Sequence, residues 1–233
     1  MIKENLHIVK EKIARAAEKS GRKADEITLV AVSKTEPIRL IEEAFSYGVT
    51  DFGENKAQEF RDKYEILGDK VNWHFIGHLQ TNKVKYVVGK ARLIHSVDSL
   101  KLAGAVNERA AKLGLVQNVL LELNTSGEES KFGIRSEDDL EKIAEFCVAA
   151  ENLNLLGLMT MAPFTDKADV IRKSFANLRE AKGRLENKGF RLPELSMGMT
   201  NDYEIAIEEG ATIVRIGTAI FGERDYSKPW NEK

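Results

Sequence analysis

Eight short apolar runs, each four to seven residues long, recur at intervals along this chain and constrain its fold more than any other feature. They are TLVAVS (28–33), DFGEN (51–55), WHFIG (73–77), LIHSV (93–97), VLLELN (119–124), LLGLMTM (155–161), ELSM (194–197) and TIVRIG (212–217). Runs of this length, rich in β-branched residues and bounded by polar stretches, read as buried strands. Between them lie longer amphipathic segments: IRLIEEAFSYG, AQEFRDKYEILG, SLKLAGAVNERAAKLG, SEDDLEKIAEFCVAA and VIRKSFANLREAKGRLENKG. Several end on a glycine just past the last apolar position, where a helix C-terminus favours it. Strand and helix in alternation predict parallel βα units. Eight of them favour a closed (β/α)8 TIM-type barrel over an open doubly wound sheet, and no G-x-G-x-x-G follows the first run. An extra helix precedes the first strand, carrying Leu6, Val9, Ile13 and Ala16 at helical spacing. No linker or compositional break divides the chain, so residues 1–233 are expected to form one domain.

Composition narrows the function. A formal net charge of -2 supplies no basic field for nucleic acid or an anionic membrane, and no apolar stretch reaches spanning length. The charged N-terminal helix is unlike a signal peptide, and the single cysteine, Cys147, reads as a packing residue in a reducing compartment. The expected location is cytoplasmic. His7, His74 and His95 show no metal-ligand spacing, and no metal is expected. Lys83, Lys85, Lys90 and Arg92 read as a solvated face.

In a barrel the C-terminal ends of the strands share one mouth. Here those ends carry Ser33 and Lys34, Glu54 and Asn55, Gly77 and His78, Ser96, Asn124, Thr160 and Met161, Ser196, Arg215 and Gly217. After the seventh run come Gly198 and Thr200, then an expected capping box from Asn201 to Glu204 opening a helix that stops at Gly210. After the eighth come Gly217 and Thr218. Small hydroxyl and glycine turns on adjacent strands expose N–H groups, and this is where barrels commonly hold phosphate. Period-2 alternation puts Arg215 on one face with Ile213 and Gly217, where it can meet an anion, a ring nitrogen or a neighbouring carboxylate. Lys34, at the end of the first strand, becomes nucleophilic if burial or nearby cations lower its pKa. Amine, guanidinium and phosphate turns together match a phosphorylated aromatic aldehyde bound end to end, the shape of pyridoxal phosphate.

These segments resemble a known family. LVAVSKTEP, DFGENKAQEF, WHFIGHLQTNKVK, IHSVDS, LLELNTSGEESKFGI, LMTMAP, LSMGMTNDYEIAI and VRIGTAIFG, in this order over nearly the whole chain, are similar to the pyridoxal phosphate homeostasis proteins, the YggS or PROSC family. That family resembles the barrel domain of alanine racemase. The resemblance implies that Lys34 carries the cofactor as an internal aldimine and that Arg215 faces the pyridine nitrogen. It also implies that Asn55 lines the ring pocket, and that Ser196, Met197, Gly198, Thr200, Gly217 and Thr218 lie about the phosphate. Lys131 resembles a lysine discussed as a second cofactor contact, and on its own residues reads as a surface lysine.

Three functions follow. The first is a carrier that holds pyridoxal phosphate without substrate turnover and acts in vitamin B6 and amino-acid homeostasis, with PLP-dependent apo-enzymes as recipients and either a monomer or a weak dimer as its working form. The second is a low-activity amino-acid racemase. The third is a cofactor-free Schiff-base aldolase. The carrier is favoured on two grounds. An arginine at the ring nitrogen leaves that nitrogen neutral and the ring a weak electron sink, and the expected chain ends soon after the eighth strand, without the racemases' second domain.

Overall fold

The computed structural model describes residues 1–128, 132–223 and 229–232. Eight parallel strands close into a barrel in sequence order: β1 (Thr28–Val32), β2 (Asp51–Glu54), β3 (Asn72–Phe75), β4 (Leu93–Val97), β5 (Gln117–Glu122), β6 (Leu153–Met159), β7 (Glu194–Ser196) and β8 (Ile213–Ile216). Each falls within one of the eight apolar runs or extends it by no more than two residues. Helices α1 (Ile2–Lys19), α2 (Ile38–Ser46), α3 (Ala57–Leu67), α4 (Val84–Val87), α5 (Leu100–Leu113), α6 (Glu137–Ala149), α7 (Ala168–Asn187), α8 (Tyr203–Glu208) and α9 (Thr218–Phe221) surround it. The expected barrel and N-terminal helix are both present. α5 stops at Gly114 in the left-handed region, at φ 66°, a backbone conformation that costs a residue with a Cβ.

Alternation along the strands sorts side chains into two layers. Val30, Leu93, Leu120, Met159 and Ile213 point into the barrel and pack together. Ala31, Phe52, Phe75, Ile94, Leu121 and Val214 point outward and are covered by the helices. Full burial of each large side chain contributes roughly 1.5–3 kcal/mol, so the outer layer supplies most of the stabilisation. α1 buries Ile2, Leu6, Val9, Ile13, Ala16 and Ala17. It closes over the C-terminal end of the chain, where Asn5 Nδ2 donates to the Ile220 carbonyl at 2.9 Å. No helix among the described residues is long and apolar enough to cross a membrane.

One connection is short, and one local expectation needs correction. The connection from β3 to β4 holds only the single-turn α4 after a 3-10 turn at Thr81–Lys83. The Asn201–Glu204 capping box does not form: α8 starts one residue later than that motif implies, with Asp202 at its N-cap and no side-chain cap bond. Asp202 Oδ1 instead accepts the Met199 backbone N–H at 2.5 Å, tightening the turn that follows β7.

Candidate functional site

The alternation that buries Val30 also explains why a lysine ends the first strand. Val30 and Val32 face inward, so Lys34 follows them into the barrel mouth, while Ala31 and Ser33 face the helices. Lys34 is half-buried and lines a cavity of about 250 Å³ at the C-terminal ends of the strands. That volume lies just under the usual range for small-molecule sites, about 300–1,000 Å³, and suits one small ligand. Asn55, Thr200, Arg215, Gly217 and Thr218 share the same wall. Met161 to Thr165, after β6, line the cavity too, together with Ile76 and Met199. Among the described lining residues the ionisable side chains are Lys34, Asp202 and Arg215.

Arg215 lies at the base of this cavity and is 3% exposed. Its partners are neutral: Nη1 donates to Ser196 Oγ at 2.6 Å and Nη2 to the Thr160 carbonyl at 2.9 Å. Ser196 therefore has its hydroxyl proton left to give, and it meets His95 Nδ1 at 2.8 Å. Donor accounting fixes the rest. His95 then carries its proton on Nε2 and donates to His74 Nδ1 at 2.8 Å, and His74 Nε2 donates to Asp51 Oδ1 at 2.9 Å. Burial, with electrostatic contributions from the neighbouring His74 and Arg215, holds His95 well below its ordinary pKa and so keeps it neutral. One chain of hydrogen bonds thus runs through the barrel from Asp51 to the guanidinium. Burial lowers Arg215 to about 10, opposed by Asp202 and Glu122, so the group stays protonated at neutral pH.

The turns after β7 and β8 touch. Ala219 N donates to Thr200 Oγ1 at 3.4 Å, bringing Thr200 beside Gly217 and Thr218 at the start of α9. Gly198 lets the turn after β7 pack closely against α8. Its φ is 96°, and a Cβ there would lie 2.6 Å from Ala206 Cβ and 2.8 Å from Tyr203 Cα. Met197 and Ser196 are fully buried and do not line the cavity: Met197 packs in the outer layer and Ser196 supports Arg215 from behind. Asn55 Oδ1 is buried and finds no hydrogen-bond partner among the described residues. An orphaned acceptor in a cavity wall carries a desolvation cost that a donor on a bound ligand would relieve.

His78 lies outside the cavity wall, stacked on Phe132 with ring centroids 3.8 Å apart. Cys147 is buried in the outer layer, and burial pushes its thiol up to about 12, as expected of an inert packing residue. Lys131 lies outside the described residues.

The model of the alanine racemase N-terminal domain matches residues 5–225. A pyridoxal phosphate homeostasis protein of Aquifex aeolicus is 48% identical over 96% of this chain and 98% of its own. The chain belongs to the pyridoxal phosphate homeostasis protein family. Two solved structures superpose on this family member. PipY of Synechococcus elongatus, solved with PLP bound, is 33% identical, with a TM-score of 0.83 over 95% of this chain and all of that one (100%). A protein from Bifidobacterium adolescentis is 39% identical, with a TM-score of 0.89 over 94% of both chains.

Proposed function

We propose that this protein binds pyridoxal phosphate reversibly and serves vitamin B6 and amino-acid homeostasis in the cell, without substrate turnover. The observation that carries the reading is convergence. Lys34 from the first strand and Arg215, Gly217 and Thr218 from the last line one cavity sized for a single small molecule. Relatives named for pyridoxal phosphate homeostasis and a PLP-bound structural neighbour support it.

In this reading Lys34 holds the ligand as a Schiff base: Nζ bonds to the aldehyde carbon and the aldehyde oxygen departs as water. Arg215 faces the pyridine nitrogen. Thr200, Gly217 and Thr218 hold the phosphate, aided by the loop that Gly198 allows. Asn55 offers its unpartnered oxygen to the ring substituents. When bound, pyridoxal phosphate supplies an electrophilic imine and an electron-accepting ring.

The site's own residues favour storage over turnover. A protonated guanidinium, donating through its N–H, leaves the ring nitrogen without a proton and weakens the ring as an electron sink. Racemisation needs an acid and a base on opposite faces of the substrate carbon. Beyond Lys34 and Arg215 the described lining offers only Asp202, whose carboxylate is committed to the Met199 N–H.

The test is to add pyridoxal phosphate to purified protein, trap with borohydride and locate the adduct by mass spectrometry. Modification is expected at Lys34 and lost in Lys34→Ala. Incubation with single-enantiomer amino acids and chiral analysis is expected to show no appreciable conversion. Sustained racemisation would instead establish an enzyme.

A further inference from the structure

Behind Lys34, on the outward face of the same strand end, lies a second cluster of ionisable groups. Lys63 of α3 is completely enclosed at 0% exposure, and its ammonium makes three hydrogen bonds: to Glu59 Oε1 at 2.7 Å, Glu54 Oε1 at 2.8 Å and the Ser33 carbonyl at 2.7 Å. The Trp230 ring lies over the same ammonium, 5.4 Å from its centroid. Ser33 Oγ donates to Glu54 Oε1 at 2.7 Å, and the Thr35 backbone N–H donates to Glu59 Oε1 at 2.6 Å.

These contacts grip the main chain on both sides of Lys34: Ser33 through its carbonyl and hydroxyl, Thr35 through its amide. Thr35 sits at φ 64°, a left-handed conformation that strains a β-branched residue and persists only where surrounding structure over-determines it. A well-packed apolar contact would fill this space at lower desolvation cost than a buried lysine with two carboxylates. The cluster's distinctive product is therefore geometric. It turns the backbone sharply at the strand end and directs Lys34 into the cavity.

We infer that Glu59 and Lys63, with Glu54, form a positioning clamp that fixes the backbone flanking Lys34 and thereby sets how fast Lys34 captures an aldehyde. This rests on the Schiff-base reading above. Burial raises the Glu54 carboxyl to about 7, with Lys63 opposing and Glu59 adding, so the clamp tightens as Glu54 ionises and gives Lys63 a second anionic partner.

The experiment compares wild type, Glu59→Ala and Glu59→Gln in three measurements. These are the rate of borohydride-trappable capture of pyridoxal phosphate at Lys34, the affinity for 4-deoxypyridoxine phosphate, which lacks the aldehyde, and hydrogen exchange of the Thr35 amide. Glu59→Ala is expected to slow capture at least tenfold and speed Thr35 exchange at least tenfold, with analogue affinity within threefold of wild type. Glu59→Gln retains an acceptor oxygen for Thr35 and is expected to recover Thr35 protection and most of the capture rate. Ser33→Ala, which removes only the hydroxyl given to Glu54, should slow capture about threefold, and it decides the question should Glu59→Ala not fold. Capture within twofold of wild type in Glu59→Ala, or in Ser33→Ala should Glu59→Ala not fold, overturns the clamp. So does a parallel fall in analogue affinity, which marks general loss of structure. Wild type that forms no adduct at Lys34 overturns the Schiff-base reading and the clamp's role with it.

Discussion

Ser196→Ala cuts the buried hydrogen-bond chain between His95 and Arg215, and its cost can be worked from two distances. The serine oxygen accepts from Arg215 Nη1 at 2.6 Å and its proton goes to His95 Nδ1 at 2.8 Å. All three side chains are enclosed, with Ser196 and His95 at 0% exposure and Arg215 at 3%, so water cannot replace the hydroxyl without rearrangement. A hydrogen bond to a charged group contributes about 1.5–3 kcal/mol, and a stranded buried acceptor costs about 1–3 kcal/mol more. With partial relaxation the loss is on the order of 3 kcal/mol, or a fall in Tm of about 6–12 °C for a chain of this size. Urea unfolding of ligand-free protein, followed by circular dichroism, should show a lower midpoint at unchanged slope. A second arm tests whether the chain acts as a unit. His95→Leu should cost less in the Ser196→Ala background than in wild type, because the first substitution has already spoiled the bond that the second removes. A loss below about 1 kcal/mol, or strict additivity of the two, would refute a continuous chain of hydrogen bonds from Asp51 to Arg215.

Glu122 supplies a pH test. Burial, assisted by Asp98 and opposed by Arg215, raises its carboxyl from 4.5 to about 7. Between those values the unfolded chain has lost its proton while the native protein keeps it, so stability should fall as pH rises through this window and level off above it. Glu122's share of the drop is on the order of 3 kcal/mol; Glu122→Gln should remove that share and leave the part that Glu54 adds in the same window, as read from urea midpoints at stepped pH. Gly198→Ala should destabilise by about 2 kcal/mol or more, because it adds backbone strain to a clash against Ala206 and Tyr203; a Tm within 1–2 °C of wild type would contradict that geometry. Lys63→Met should cost about 3–5 kcal/mol by leaving two buried carboxylates without their cation, measured by the same urea titration.

The barrel was legible because its strands announce themselves locally: each is a short apolar run, and the helices between them carry their own periodicity and glycine stops. Six of the nine expected ligand residues, Lys34, Asn55, Thr200, Arg215, Gly217 and Thr218, line one cavity for the same reason, since a strand's end fixes which way the next residue points. Ser196 was recognisable as a strand-end hydroxyl, yet nothing in its neighbourhood reveals that it faces Arg215 and His95. That pairing depends on barrel closure bringing β4, β7 and β8 together. The Asp51, His74 and His95 links are likewise separated by at least 21 residues. Lys63 was hidden differently. In QEFRDKYE it sits among charges and reads as one more solvated residue, and the enclosed ammonium becomes tolerable once the fold adds the outward-facing Glu54, nine positions earlier, and the Ser33 carbonyl to Glu59. The Asn201 box failed because Asp202 satisfies a donor in the preceding turn rather than one in the helix. The loop residues 162–165, beyond the strand-end Met161, gave no periodic signal at all.

β1 pairs directly with β8, Val30 level with Arg215. Two strands about 180 residues apart in the sequence are therefore adjacent staves of the same ring. A ribosome that has made seven strands has made the amine but not its guanidinium neighbour, and any molecule that must touch both finds no purchase on the nascent chain. In the proposed reading, then, ligand held between Lys34 and Arg215 would report that the eighth strand is in place beside the first.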